Sequence, residues 1–446
     1  MALTNRRDSG DDQVSDPALV AALREAVEPL PPIGTPEFAA HFDRLGNAEV
    51  VALGEATHGT SEFYRARAAI TRRLIEEHGV TIVAVEADWP DASRIDRYVR
   101  HRSGVPWREP AFTRFPTWMW RNEEVLDFVE WLREHNAALP PDRRVSFHGL
   151  DLYALGSSIE SVVGYLEEVD PDAAAEARER YSCFAPWQKE PAGYGRASIR
   201  RGLHLCEKAV LETLRDLLEC RLEYAQDDSD DYLDAEGNAH LVAAAEAYYR
   251  SIYHGAADSW NLRDRHMFET LRRVCRARGG KAVIWAHNSH LGDAAATEMG
   301  SYRGQLNLGQ LCREHYGEAA ALVGFGTDRG EVAAASNWGG ALEIKAVLPA
   351  SGGSIEDLCN RTGIPGFLLD LGRQRGSMLE RGLMEPRPER AIGVIYRPET
   401  ERESHYFTAS LPRQFDHYVW FDETHAVRPL TGDSARGAPD TYPFGL

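Results

Sequence analysis

Apolar residues in this chain gather in short unbroken runs, set between longer stretches of helical spacing. The runs lie at residues 49–54, 80–86, 144–150, 282–287, 320–327, 391–397 and 417–422. Strands with one wet face alternate apolar and polar side chains, whereas strands covered on both faces do not. The runs therefore predict a sheet with helices on both sides. Helical spacing at 62–78 and 123–136 predicts crossover helices between the first three runs. The expected fold class is α/β, a mostly parallel central sheet flanked by helices.

Residues 155–275 break this rhythm, with helical patterns at 160–169, 173–181, 197–225 and 239–254 and no convincing strand run. The expected organisation is an N-terminal tail and helix (1–40), an α/β core in two parts (41–154 and 276–430), a helical insertion over the active edge of the sheet (155–275) and a C-terminal tail (431–446). Asp16 before Pro17 reads as the cap of the first helix. The acidic stretch 227–236 reads as a solvated loop, because it lacks the glycine and spacing of a calcium loop.

Composition narrows the function classes. Against 50 lysines and arginines stand 69 aspartates and glutamates, a formal charge of −19, which argues against general nucleic-acid binding. No run approaches the roughly 18 apolar residues of a membrane span, and the polar first residues hold no signal-peptide core. Six scattered cysteines include no C-x-x-C pair and read as thiols in a reducing compartment. A cytoplasmic protein that partners neither nucleic acid nor membrane is expected.

Four runs end in ionisable residues. The first is followed by Glu55 and His58, the second by Glu86 and then Asp88, the third by Asp151 and the fourth by His287 and His290. Ligands of open α/β sheets bind beyond the carboxyl ends of the strands, so these ends predict one shared site. A histidine near its ordinary value of about 6.5 can take a proton from water at neutral pH. A carboxylate on its other ring nitrogen, from Glu55 or Glu86, would fix the tautomer. His287 or His290 could stabilise an oxyanion. Arg67 and Arg263 are candidates to bind substrate oxygen, and Asp151 is a third substrate-binding candidate, with helix capping as its alternative role. Trp118 and Trp120, in the aromatic stretch 114–120, could wall a bulky ligand. Nucleophile-elbow, zincin, P-loop and dinucleotide signatures are missing, with Ser61 left as a serine beside the corner. The same Glu and His residues form an alternative ligand set for zinc, iron or manganese.

The segments Gly54-Glu-Ala-Thr-His-Gly59, Asn122-Glu-Glu and Trp285-Ala-His-Asn-Ser-His290, with Glu86 at a strand end, resemble the erythromycin esterase family. Ala391-Ile-Gly-Val-Ile-Tyr-Arg-Pro398 and Phe421-Asp-Glu-Thr424 resemble its actinobacterial members. The resemblance, over residues 40–430, implies an α/β core, a helical insertion and a deep cleft. It implies hydrolysis of a macrolide lactone or another ester, with His58 as the base that activates water. Glu55, Glu86, Arg67, His287 and His290 would line the same site. It also implies work without a metal, although more distant relatives of the fold bind metals; no cofactor is expected, with a divalent metal as the alternative. Three readings follow: an ester or lactone hydrolase, a metal-dependent hydrolase on the same residues, and a non-catalytic protein that holds a large natural product. Burying five ionisable groups costs free energy that simple binding does not require, which disfavours the third.

Overall fold

The computed structural model describes residues 16–102, 111–187, 193–197, 206–220, 224, 229–252 and 256–430. Both terminal tails expected from the sequence, and part of the 197–225 helix, lie outside these residues.

Eleven strands are described: β1 (Glu28–Pro29), β2 (Val50–Leu53), β3 (Val80–Asp88), β4 (Ser146–Asp151), β5 (Lys281–Trp285), β6 (Ala320–Ala335), β7 (Leu342–Val347), β8 (Gly366–Asp370), β9 (Arg387–Arg390), β10 (Tyr406–Ala409) and β11 (His417–Thr424). Nine form one sheet in the order β1-β8-β11-β6-β2-β5-β3-β4, with β7 against the far half of β6. From β11 across to β4 every pairing is parallel. In this sheet the antiparallel pairings are confined to β8, β1 and β7. β9 and β10 form a separate two-stranded sheet.

The unbroken apolar runs mean what their pattern implies. In β2, Val50 and Ala52 pack into one core cluster while Val51 and Leu53 pack into the other, so both faces are covered. One cluster takes in the helices Ser61–His78 and Glu123–Ala137. The other takes in the helices between β4 and β5: Leu155–Val169, Pro171–Tyr181, Glu207–Glu219, Ser229–Ser251 and Ala256–Arg278. None of the described helices is long and apolar enough to cross a membrane.

Three expectations are corrected. The run 391–397 is not a strand. It makes single bridges to two different elements, Thr57 with Ile392 and Ala335 with Ile395, so no ladder develops. The acidic stretch is not a solvated loop from Ser229 onward. It is the first turns of the helix Ser229–Ser251, where acidic side chains suit the positive helix end. Asp230 pairs with Arg100 at 2.8 Å and Asp231 with Arg97 at 3.0 Å, tying this helix to the helix Trp89–Val99. Finally, the cysteines are not all thiols, since Cys183 and Cys206 are disulfide-bonded.

Candidate active site

The strands β2, β5, β3 and β4 are consecutive neighbours in the sheet, and each delivers a polar group at its carboxyl end. Adjacent strands stand about 4.8 Å apart, so four ends bring their side chains within roughly 15 Å. Local irregularities aim them. The ladder between β3 and β4 slips between Val85 and Asp88, so Glu86 and Ala87 bulge out of register and the Glu86 side chain is re-aimed. Gly149 lies opposite that bulge, where a Cβ would overlap the main chain of Ala87 and Asp88.

Glu55 and His58 sit on the turn between β2 and the helix Ser61–His78. Glu55 Oε1 lies 2.9 Å from His58 Nδ1, and Glu55 Oε2 accepts from Arg67 Nη2 at 2.7 Å. The carboxylate fixes a proton on Nδ1 and leaves Nε2 with its lone pair. The Tyr64 hydroxyl donates to the His58 carbonyl oxygen at 2.9 Å. The segment that failed to form a strand secures this turn: Ile392 N donates to Ala56 O at 2.8 Å, and His58 N donates to Ile392 O at 3.2 Å. At Gly59 a Cβ would overlap Ala333 of β6.

Arg263, on the helix Ala256–Arg278, joins the other groups. Its Nε and Nη2 donate to Asp151 at 2.9 and 2.7 Å, Nη2 also donates to Glu86 Oε1 at 2.7 Å, and Nη1 lies 2.9 Å from His290 Nε2. A guanidinium has five N–H groups, so these contacts leave one on Nη1. Burial opposes the Arg263 charge, but Asp151, Tyr153 and Glu86 overcome it and hold the group well above its ordinary value. Burial likewise opposes ionised Glu86. There His290, Arg263 and His58, with the His287 N–H, hold the carboxyl well below the usual carboxylate range.

The two histidines after β5 differ. His287 Nδ1 accepts from Ser289 N at 3.2 Å and meets the Ser289 hydroxyl at 2.9 Å, while Nε2 lies 3.2 Å from Ala56 O. A carbonyl only accepts, so His287 carries its proton on Nε2 and both nitrogens are engaged. Burial, then the neighbouring His58, keeps it well below its ordinary value and neutral. His290 Nδ1 lies 2.9 and 3.0 Å from the two Asp264 oxygens. Burial opposes its charged form, but Asp264 and Glu86 lift it above its ordinary value.

A cleft of about 710 Å³, counted to its open mouth, lies over these strand ends. His58, Glu86, Asp151, Arg263 and Trp120 reach it; Glu55, Arg67, Trp118, His287 and His290 stand behind its lining. Arg67 therefore does not reach back toward a ligand. It is wholly buried, and Tyr64 and Trp285 cover its guanidinium at 4.4 and 5.2 Å. Trp118 packs edge-on against Phe115 at 5.2 Å as core. Sequence reading passed over Asp264, whose signal was its place one residue after Arg263, and the wall residues Phe112, Trp338 and Val394. Trp338 and Val394 come from distant segments, and no local pattern marks them.

The donor set does not fit a bound metal as it is arranged. Glu86 Oε1 and His290 Nε2 turn to Arg263, whose fixed charge stands where a cation would, Glu55 turns its oxygens to His58 and Arg67, and His287 has both ring nitrogens engaged. Among the described residues no group of three or more His, Cys, Asp or Glu is disposed to hold an ion.

Comparison with known proteins gives a consistent result. The model of the erythromycin esterase family matches residues 75–424, beginning after the Gly54–Gly59 turn. Erythromycin esterase type II of Escherichia coli is 30% identical over 133 residues, 29% of this chain and 30% of that protein, so the match spans less than a third of its length. Putative hydrolase YbfO of Bacillus subtilis (strain 168) is 20% identical over 405 residues, 85% of this chain and 84% of that protein. The fold is that of a solved succinoglycan biosynthesis protein, with TM-score 0.76 and 22% identity over 94% of this chain and all of the other. It is also that of an erythromycin esterase mutant in its open conformation, with TM-score 0.65 and 17% identity over 89% of this chain and 96% of the other. With the family model spanning residues 75–424 of 446, the chain belongs to the erythromycin esterase family, a family of hydrolases.

Proposed function

We propose that this chain hydrolyses a carboxylic ester, with a macrolide or another lactone natural product as substrate and His58 as the general base. One observation carries the reading. His58, held through Nδ1 by Glu55 at 2.9 Å, lines the same cleft as Arg263. In the proposed reaction Nε2 of His58 takes a proton from water as the water oxygen bonds to the ester carbonyl carbon. The remaining Nη1 N–H of Arg263 donates to the oxygen on which negative charge develops. On collapse the bond from the acyl carbon to the alkoxy oxygen breaks, and imidazolium His58 returns its proton to the departing oxygen. A lactone thereby becomes one hydroxy acid, heavier by one water. His287 has no free ring nitrogen for the oxyanion role, so Arg263 takes it. Glu55, rather than Glu86, orients the base.

A mixed lining suits a large, mostly apolar ester. Phe112, Phe115, Met119, Trp120, Trp338 and Val394 line the cleft together with the polar strand ends, the apolar walls with a few placed polar groups that small-molecule sites show. No step runs through a metal. Activity that survives exhaustive chelation is the expected outcome, while activity lost on chelation and restored by one metal would favour the metal-dependent reading. The test of the base is His58→Ala, expected to lose at least about 100-fold in kcat with an unchanged unfolding midpoint. Full turnover in that variant would overturn the reading.

A further inference from the structure

The helix Ala256–Arg278 presents Trp260, Arg263 and Asp264 at spacings of three and four, on one face toward His290. We propose that Asp264 is a positioning residue: with His290 it forms a second carboxylate–histidine pair, which keeps Arg263 aimed into the cleft. This rests on the hydrolase reading.

The geometry of the pair is closed on every side. Asp264 is fully buried, and its Oδ1 also accepts from Leu308 N at 2.8 Å. A carboxylate accepts and does not donate, so the proton between the two groups sits on His290 Nδ1. The Trp260 ring stacks on the imidazole at 4.5 Å and 8°, and its own Nε1 donates to Leu306 O at 2.8 Å. Stacking and the two carboxylate contacts hold the ring in this orientation. Its Nε2 is thereby held 2.9 Å from Arg263 Nη1 and 3.4 Å from Glu86 Oε1. The neutral ring accepts from Arg263, and the charged ring donates to Glu86. Asp264 and Arg263 from the helix, Glu86 from β3 and His287 after β5 are the ionisable groups that face it.

The arrangement parallels the first pair, in which Glu55 holds Nδ1 of His58 at 2.9 Å. The first pair leaves its Nε2 to the cleft. The second spends its Nε2 on Arg263, so that the remaining Nη1 N–H of that arginine keeps one direction. An asparagine at position 264 removes this control. If its amide oxygen keeps the bond from Leu308 N, its NH₂ faces His290 Nδ1. The imidazole then relieves the opposition by moving its proton to Nε2, where it confronts Arg263 Nη1.

The test is the ¹⁵N spectrum of histidine-labelled full-length protein, recorded at rising pH until His290, which its carboxylates lift above the ordinary histidine value, is neutral, with the His290 signals assigned from His290→Gln. The expected result is an Nδ1-protonated tautomer in the native chain, an Nε2-protonated one in Asp264→Asn, and return to Nδ1 in Asp264→Glu. Turnover of an ester accepted by the native enzyme should fall about 10- to 100-fold in kcat in Asp264→Asn, with little change in KM, and recover in part in Asp264→Glu. Should Asp264→Asn not fold, the native tautomer and the kcat of Asp264→Glu decide the matter. An Nε2-protonated His290 in the native chain, or an unchanged tautomer and kcat in Asp264→Asn, would overturn the proposal. The spectrum needs no substrate, so a failed pairing is distinguishable from a failed hydrolase reading.

Discussion

Arg263 is the residue on which the charges of the site depend, because two buried carboxylates and a histidine share it. Truncating it to alanine leaves Glu86 and Asp151 buried without a cation, and chemical denaturation should show a loss of about 3–5 kcal/mol. Arg263→Lys restores a charge but not the planar fork. It should regain part of that stability while kcat stays low. Glu86 carries the pH signature. Its folded carboxyl lies below the ordinary value, so its stabilisation is complete above about pH 4.3 and is lost as pH falls through the depressed value. The stability gap between native protein and Glu86→Gln should therefore close as pH falls below about 4.3. Denaturant midpoints across pH check this, and a gap that widens in acid would contradict it. Glu55 and His58 were legible because one turn carries both. Arg67 was legible as a residue but not in its role, since aromatic rings from two elements enclose it.

At the scale of elements, the parallel core was legible because double-sided burial writes itself into unbroken apolar runs. The edge strands were not. β1 is two residues long and shows no period, and β7 is half exposed. The run 391–397 is as apolar as a strand, yet its hydrogen bonds go to the Ala56–His58 turn and to Ala335. A local pattern records burial and not the partner. The bulge in β3 was equally hidden, although Gly149 was its trace. Gly149→Ala should cost about 1–3 kcal/mol through overpacking and lower kcat as well, because it displaces Glu86. Thermal unfolding and turnover of this variant separate the two effects, and an unchanged midpoint would mean that the bulge tolerates a Cβ.

At the scale of the molecule, the helices between β4 and β5 are fastened to the core by buried charge as well as by apolar contact. Beside the Arg100–Asp230 pair lies His148 of β4, buried and stacked on Trp89 at 5.3 Å with its Nε2 unpartnered. Burial, against a smaller opposing pull from Asp96, lowers His148 to about 4. Below about pH 6.5 the unfolded chain binds a proton that the folded chain refuses, so stability falls with pH down to the folded value, by up to about 3 kcal/mol. His148→Phe should flatten that part of the stability curve, and denaturant midpoints from pH 7 to 4 would show an unaltered slope if it does not. The helices between β4 and β5 leave their mark in the sequence as a break in the strand rhythm, but the acidic stretch was misread because the arginines that face it, Arg97, Arg100 and Arg278, are distant in sequence. The proposal that His58 activates water for ester cleavage meets its most direct test in H₂¹⁸O. Native protein and His58→Ala would be incubated with a panel of macrolides and other lactones and the products weighed. The expected result is a product from native protein that has gained one water, with the heavy oxygen in its new carboxyl group, and none from the variant. A native protein that adds water to no member of the panel, or a variant that adds it at the native rate, would contradict it.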